Sequence, residues 1–127
     1  MQLETIPSPS IGIDLDGTID EAPIFFRLLA SRWPGNVYVI TFRDDRKKAE
    51  ERLAEFEINY DELILVSAFA DKAKVIREKG ILVYFDDQDE MLQGIGDGVN
   101  VFKFRNGGNF DFDTQQWLYS ERTGRQI

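Results

Sequence analysis

The stretch SIGIDLDGTID, Ser10–Asp20, contains the first predicted strand of this chain and two closely spaced aspartates. It contains a short apolar run, Ile11–Leu15, with one aspartate inside it at Asp14 and a second directly after it at Asp16. A Gly-Thr pair follows. Carboxylates are seldom buried without a partner. Two interpretations are open: a strand that ends in solvated acids, or a buried strand that holds both carboxylates at one edge of a sheet.

Apolar stretches and helical patterns alternate along the rest of the chain. Strands are predicted at Ile11–Leu15, Val37–Phe42, Leu63–Val66, Ile81–Phe85 and Val99–Phe104. Helices are predicted from Pro23 to about Trp33, after a cap at Asp44 or Asp45, from Asp71 to Lys79, and around Asp89–Ile95. Strands that are apolar throughout and alternate with helices indicate a parallel sheet covered on both faces. We therefore expect an α/β fold, a Rossmann-like three-layer sandwich with a five-stranded, mostly parallel sheet.

The length of 127 residues predicts one domain, 1–127, in which residues 105–127 form a C-terminal extension that packs on the core. The chain has neither cysteine nor histidine, so thiolate ligands and imidazole bases are excluded. Acid–base and metal chemistry must use carboxylates, which favour a hard cation such as Mg²⁺. The lack of cysteine fits the cytoplasm. A net charge of −8 argues against a nucleic-acid polymer as partner, and no apolar run predicts a membrane span.

Ligands of parallel sheets bind at the carboxyl ends of the strands, so the residues that follow each strand are the candidates for function. These residues are Asp14 and Asp16, Thr41 and Arg43, Lys72 at the start of the third helix, and Asp86 and Asp87. Two carboxylates about 4 Å apart repel by about 4 kcal/mol at an effective dielectric of about 20. Such a cluster requires a divalent cation, a lysine or a retained proton. Mg²⁺ together with Lys72 would make it a receptor for a phosphate dianion.

Four segments, in this order, resemble the motifs of the haloacid dehalogenase-like (HAD) superfamily. They are DLDGT at Asp14–Thr18, ITF containing Thr41, the lysine at Lys72, and FDD at Phe85–Asp87. The resemblance extends through Phe104 and so covers nearly the whole chain. It implies a phosphatase rather than a dehalogenase, because the family's dehalogenases generally lack an acid two residues after the nucleophile.

The resemblance also implies a role for each matching residue. Asp14 would attack phosphorus and form an aspartyl-phosphate, and Asp16 would act as general acid and base. Mg²⁺ would bind the Asp14 carboxylate, the backbone carbonyl of Asp16 and Asp86, with Asp87 as helper or alternate ligand. The phosphoryl group would be held by Thr41, Lys72 and backbone N–H groups at Gly17 and Thr18.

Several alternatives remain open at this stage. Lys74 competes with Lys72, and Asp86–Asp87 could cap a helix. Arg43 either contacts substrate or is a solvated loop residue. A receiver-type signalling domain fits poorly, because the third strand ends in Val66-Ser67-Ala68 and lacks the aspartate that is phosphorylated there. A catalytically slow HAD-like phosphate-binding or signalling module is the main alternative to an enzyme.

The spacing between motifs leaves no room for a cap domain after the first motif or before Lys72. A capless site would accept a bulky phosphorylated substrate or receive a lid from a second subunit of a homo-oligomer. The expected partner is a phosphorylated small molecule, with a nucleotide or a sugar phosphate as the first candidates.

Overall fold

The computed structural model describes residues 8–105 and 110–117 of the chain. A five-stranded parallel sheet forms its centre, in the order β3-β2-β1-β4-β5. The strands are β1 (Ser10–Ile13), β2 (Val37–Phe42), β3 (Glu62–Val66), β4 (Ile81–Asp86) and β5 (Asn100–Lys103). The predicted α/β sandwich with a parallel sheet is confirmed, and all five strands of this sheet are parallel.

Three helices connect the strands: α1 (Pro23–Arg32), α2 (Arg46–Glu55) and α3 (Asp71–Glu78). Pro23 stands in the first turn of α1, where a missing N–H costs nothing. Of the two predicted caps for α2, Asp45 is the one used, and its carboxylate accepts the Lys48 N–H at 3.1 Å. After α3 the chain turns at Gly80, whose φ of 63° lies in the left-handed region that favours glycine.

The two faces of the sheet are covered by different helices. On one face, Ile11 and Ile13 of β1 pack in a cluster with Phe26 of α1 and Leu53 of α2. On the other face, Ile40, Tyr84 and Ile81 pack with Ile76 of α3. Successive side chains of a strand point to opposite faces. Ile13 faces α1 and α2, so the next residue, Asp14, faces α3. The fold thereby directs the first aspartate toward the helix that carries Lys72.

The strand order places a crevice between β1 and β4. The chain leaves β1 toward β2 and leaves β4 toward β5, in opposite directions along the sheet. Ligands of open α/β sheets bind outside the carboxyl ends of the strands at such a point. Asp14 and Asp86 therefore lie at the position where the topology opens a site.

The remaining described segments are short. Single 3-10 turns span Ile19–Glu21 and Asp89–Leu92, the second of them shorter than the predicted helix Asp89–Ile95. An antiparallel hairpin of β6 (Phe110–Asp111) and β7 (Gln116–Trp117) was not predicted. Residues 106–109 and 118–127 lie outside the described residues, so the packing of the whole extension 105–127 on the core stays a prediction.

No cap domain occurs within residues 8–105 and 110–117. Between β1 and β2 the chain forms one 3-10 turn and α1, and between β3 and α3 it has only the loop 67–70. None of the described helices is long and apolar enough to cross a membrane.

Candidate active site

Asp14 lies at the carboxyl end of β1 and is buried, with 4% of its surface exposed. Its Oδ1 accepts a hydrogen bond from Lys72 Nζ at 2.8 Å, and its Oδ2 accepts one from Thr18 Oγ1 at 3.2 Å. Burial and then the charge of Asp86 raise the pKa of Asp14 well above its usual range, although Lys72 acts in the opposite direction. A positive charge added to the site would favour the ionised form that a nucleophile requires.

Lys72 connects the two central strands of the site. Its ammonium group donates to Asp14 Oδ1 at 2.8 Å and to Asp86 Oδ2 at 2.7 Å, and its side chain is 1% exposed. Burial lowers the pKa of Lys72, but the charges of the two carboxylates outweigh burial and raise it above the usual value. Lys74, the alternative candidate, is exposed on the outer side of α3. The structure thus brings Lys72 into the site and leaves Lys74 outside it.

Asp86 at the end of β4 has hydrogen-bond donors on both oxygens. Oδ2 accepts from Lys72 Nζ and from Tyr84 Oη, the latter at 2.6 Å, and Oδ1 accepts the Gln88 N–H at 3.0 Å. Burial and the neighbouring acids raise the pKa of Tyr84 well above its usual value, so its hydroxyl stays a donor at neutral pH. These donors fix the orientation of the Asp86 carboxylate.

Asp87 differs from Asp86 because one of its oxygens is unpaired. Its Oδ1 is buried and has no hydrogen-bond partner among the described residues. Burial, followed by the charge of Asp86, raises the pKa of Asp87 to about 6. Arg105 donates to the backbone carbonyl of Asp87 and so ties the end of β5 to this loop. A buried carboxylate oxygen without a donor requires an explanation, and a bound metal ion is one that fits a site rich in carboxylates.

The residues present fit a divalent metal ion. One carboxylate oxygen each of Asp14, Asp86 and Asp87 lies within 4.8 Å of the others, and all three residues are buried. Oxygen ligands of this type suit Mg²⁺. With Asp16 included, the four carboxylates have two direct ion-pair partners, Lys72 and Arg43, so a divalent cation would reduce the remaining negative charge. The three carboxylates are therefore the candidate ligands, and Asp87 offers the free oxygen.

The second aspartate of the motif, Asp16, occupies a more open position, with 40% of its side chain exposed. Arg43 donates to both of its oxygens, from Nε to Oδ2 at 2.8 Å and from Nη2 to Oδ1 at 2.6 Å. The buried Thr41 hydroxyl lies 3.5 Å from Asp16 Oδ2, at the limit of a hydrogen bond. Thr41 and Asp16 thus reach the same edge of the sheet, as predicted, but Arg43 is the principal partner of Asp16.

The loop after β1 is held by its own side chains. Gly17 has a φ of 83°, which requires glycine, as expected for the sharp turn. Its N–H donates to Asp20 Oδ1 at 2.8 Å, and the N–H of Thr18 donates to the Leu15 carbonyl at 3.3 Å. Both amides that were expected to bind phosphate have protein acceptors in this structure, so their role in phosphate binding stays a prediction.

Sequence reasoning missed two side chains that contact the site directly, Tyr84 and Arg105, and left Arg43 undecided. Tyr84 had a usable signal. It precedes Asp86 by two residues in a strand, and residues at that spacing point to the same face. Arg105 had none, because its contact with the Asp87 carbonyl depends on how the chain leaves β5.

Comparison of the chain with models of protein families, with curated proteins and with solved structures found no match. Any assignment of function therefore depends on the motifs and on the geometry of the site.

Proposed function

We propose that this protein is a Mg²⁺-dependent phosphomonoester hydrolase of the HAD type that works through an aspartyl-phosphate on Asp14. The observation that carries the proposal is the buried bridge of Lys72 between Asp14 and Asp86 at the crevice between β1 and β4. A lysine from α3 and acids from two neighbouring strands meet at one point, in the order that the motifs require. A strand end with solvated acids would not bury Asp14 against a lysine.

In the first step, an Asp14 carboxylate oxygen attacks phosphorus as the bond from phosphorus to the leaving oxygen breaks. The leaving alkoxide takes a proton from Asp16. In the second step, Asp16 removes a proton from water, the water oxygen attacks phosphorus, and the bond between Asp14 and phosphorus breaks to release phosphate. The hydrogen bonds that Lys72 and Thr18 donate to Asp14 support the first step, because an oriented nucleophile needs little reorganisation to reach phosphorus.

Charge on the phosphoryl oxygens would be neutralised by Lys72 and by the Thr41 hydroxyl at the same edge. Mg²⁺ bound to Asp14, Asp86 and Asp87 would supply a Lewis acid and neutralise charge on the transferring group. Tyr84 would hold Asp86 in place by its hydrogen bond. In this assignment Lys72 serves both as the counter-ion of the resting acids and as a donor to substrate.

The substrate class that we propose is a small phosphate monoester, with nucleotides and sugar phosphates as first candidates. Within residues 8–105 and 110–117, no cap domain lies over the carboxyl edge of the sheet. A site without a cap favours either a bulky ester or cover from a second subunit of a homo-oligomer. A cytoplasmic location remains part of the proposal because the chain has no cysteine.

One observation favours a second candidate, a phosphate-binding or signalling module with slow turnover. Arg43 engages both oxygens of Asp16. If that ion pair persisted with ligand bound, Asp16 would be a poor acid and base, and an aspartyl-phosphate would be long-lived. The two candidates differ in the rate at which the intermediate is hydrolysed.

Hydrolysis of p-nitrophenyl phosphate with Mg²⁺ or with EDTA tests the proposal, together with a panel of nucleotides and sugar phosphates. We expect release that requires Mg²⁺ and falls at least about a thousandfold in Asp14→Asn, because the nucleophile is lost. Asp97→Asn, an exposed acid outside the site, is the matched control and should keep the wild-type rate. Unchanged turnover in Asp14→Asn would refute Asp14 as the nucleophile. Burst release followed by a stable phosphoprotein would favour the slow module.

A further inference from the structure

Arg43 and Asp16 form a two-point ion pair at the mouth of the site. The guanidinium meets the carboxylate side-on, with hydrogen bonds of 2.8 and 2.6 Å to the two oxygens. This two-point arrangement gives the arginine–carboxylate contact a defined geometry. It joins the residue two positions after Thr41 to the residue two positions after Asp14, and thus connects the carboxyl ends of β2 and β1.

The rest of the Arg43 side chain is available to a ligand. A guanidinium has five N–H donors, and Arg43 makes no further side-chain hydrogen bond within the described part of the chain. Arg43 also lines a cleft of about 370 Å³ together with Phe42, Asp44, Val66 and Ser67, at the carboxyl ends of β2 and β3. Its side chain is 25% exposed, so a ligand can reach it.

The ion pair conflicts with the proposed role of Asp16 as general acid and base. A general acid must present an oxygen and its proton to the leaving oxygen at hydrogen-bond distance. Both oxygens of Asp16 already accept hydrogen bonds from Arg43, so Arg43 competes with the leaving oxygen for this carboxylate. Opening of the pair during turnover would remove that competition. A phosphoryl group offers the released guanidinium several anionic oxygens, which are strong partners for a fork of this shape.

We propose that the Arg43–Asp16 ion pair is a latch that opens when phosphate binds, as Arg43 transfers from Asp16 to the phosphoryl oxygens. Substrate binding itself then frees Asp16 to face the leaving group. Arg43 is a positioning residue for Asp16 in the resting protein and a phosphate contact in the complex. The inference rests on the proposed function, since it requires a phosphate at Asp14.

A binding cycle with inorganic phosphate tests the latch without turnover. Phosphate would be titrated calorimetrically, at saturating Mg²⁺, into wild type, Asp16→Asn, Arg43→Met and the double variant. Asp16→Asn should tighten binding in the wild-type background for two reasons, the loss of a nearby negative charge and the release of Arg43. In the Arg43→Met background only the first reason remains. We expect the gain from Asp16→Asn to be about tenfold larger when Arg43 is present.

Two further variants separate charge from geometry. Arg46→Met removes one positive charge from an exposed position at the start of α2 and should change phosphate affinity by less than about twofold. Arg43→Lys retains the charge without the two-point fork, so the gain from Asp16→Asn should fall toward the value in Arg43→Met. Circular dichroism of each variant verifies that it is folded.

The possible results distinguish failure of the latch from failure of the phosphate site. Equal gains from Asp16→Asn in both backgrounds would overturn the latch and leave the phosphatase proposal intact. A smaller gain with Arg43 present would also overturn the latch, because it would mean that Asp16 and Arg43 hold phosphate jointly. A wild-type protein that does not bind phosphate at all would overturn the latch together with the phosphate site.

Discussion

The two aspartates of the DLDGT segment stand two residues apart, yet their environments are opposite. Asp14 is buried with Lys72, a partner 58 residues away in the chain. Asp16 is 40% exposed on its side chain and pairs with Arg43, 27 residues away. A buried ion pair holds one geometry because any break leaves an uncompensated charge, whereas an exposed pair can open and be replaced by water or ligand. The difference suits a fixed nucleophile beside a movable acid.

The largest expected difference between the two pairs is the stability lost when the cation of either one is removed. Lys72→Met leaves Asp14 and Asp86 buried without their common partner, and we expect a loss of about 3–5 kcal/mol in the free energy of unfolding at pH 7. Arg43→Met should cost at most about 1 kcal/mol, because its pair is half-exposed. Urea denaturation measures both values. Lys74→Met on the exposed side of α3 is the control for Lys72, and similar losses in Lys72→Met and Arg43→Met would contradict the comparison.

The pH dependence of the free energy of unfolding should show the effect of the buried acids, because their pKa values differ between the folded and unfolded states. The folded-state pKa of Asp87 is raised to about 6, and an aspartate in the unfolded chain titrates near 4. A raised pKa means that the folded state binds the proton more tightly. The stabilisation is complete below pH ~4 and is lost as pH rises through about 6, at a cost of about 3 kcal/mol in metal-free protein. Asp14, whose pKa is also raised, contributes in the same direction.

Under the proposed function Mg²⁺ should reverse this trend, because it would bind the ionised carboxylates. Urea denaturation from pH 4.5 to 8, in EDTA and in Mg²⁺, would measure the effect. The increase in stability due to Mg²⁺ should be larger at pH 7.5 than at pH 5. Asp87→Asn is the reference that removes the contribution of this group, and the difference from wild type isolates it from the other acids. In metal-free protein, the free energy of unfolding of wild type relative to Asp87→Asn should fall from pH 5 to pH 7. An increase over this range would contradict the raised pKa of Asp87.

The smallest expected effect concerns Tyr84, which lies beneath the buried cluster. Tyr84→Phe keeps the ring and its packing but removes the hydrogen bond to Asp86 Oδ2. We expect Mg²⁺ affinity to fall by about tenfold, because partners of metal ligands orient them. The free energy of unfolding should fall by about 1 kcal/mol, because a buried hydrogen bond is lost.

Calorimetric titration of Mg²⁺ into the two proteins checks the effect of Tyr84→Phe on affinity. Tyr38→Phe is the matched control, since Tyr38 packs on the same face of the sheet at a distance from the acids. Equal Mg²⁺ affinity in wild type and Tyr84→Phe would show that Asp86 is held adequately by Lys72 and the Gln88 N–H alone.

Much of the site could be predicted from local patterns. One example is that Lys72, rather than Lys74, faces the core. It precedes Ile76 by one helical turn and Ala73 by one residue, and all three are buried, whereas Lys74 faces outward. Apolar periodicity along α3 therefore favours Lys72. Tyr84 could have been found in the same way from the two-residue period of β4. Arg43 could not, because a loop residue after a strand has no periodicity that fixes its direction.

Local patterns in the sequence were enough to predict which residues stand at the carboxyl ends of the strands and that these strands form one parallel sheet. Both features follow from the apolar periodicity of short segments. The three-dimensional structure was needed to show that Asp14 shares Lys72 with Asp86, that Asp87 has a free oxygen, and that Arg43 pairs with Asp16. Those pairings depend on strand order and on the rotation of helices against the sheet. Both are set by packing between segments far apart in the chain, which no local pattern encodes.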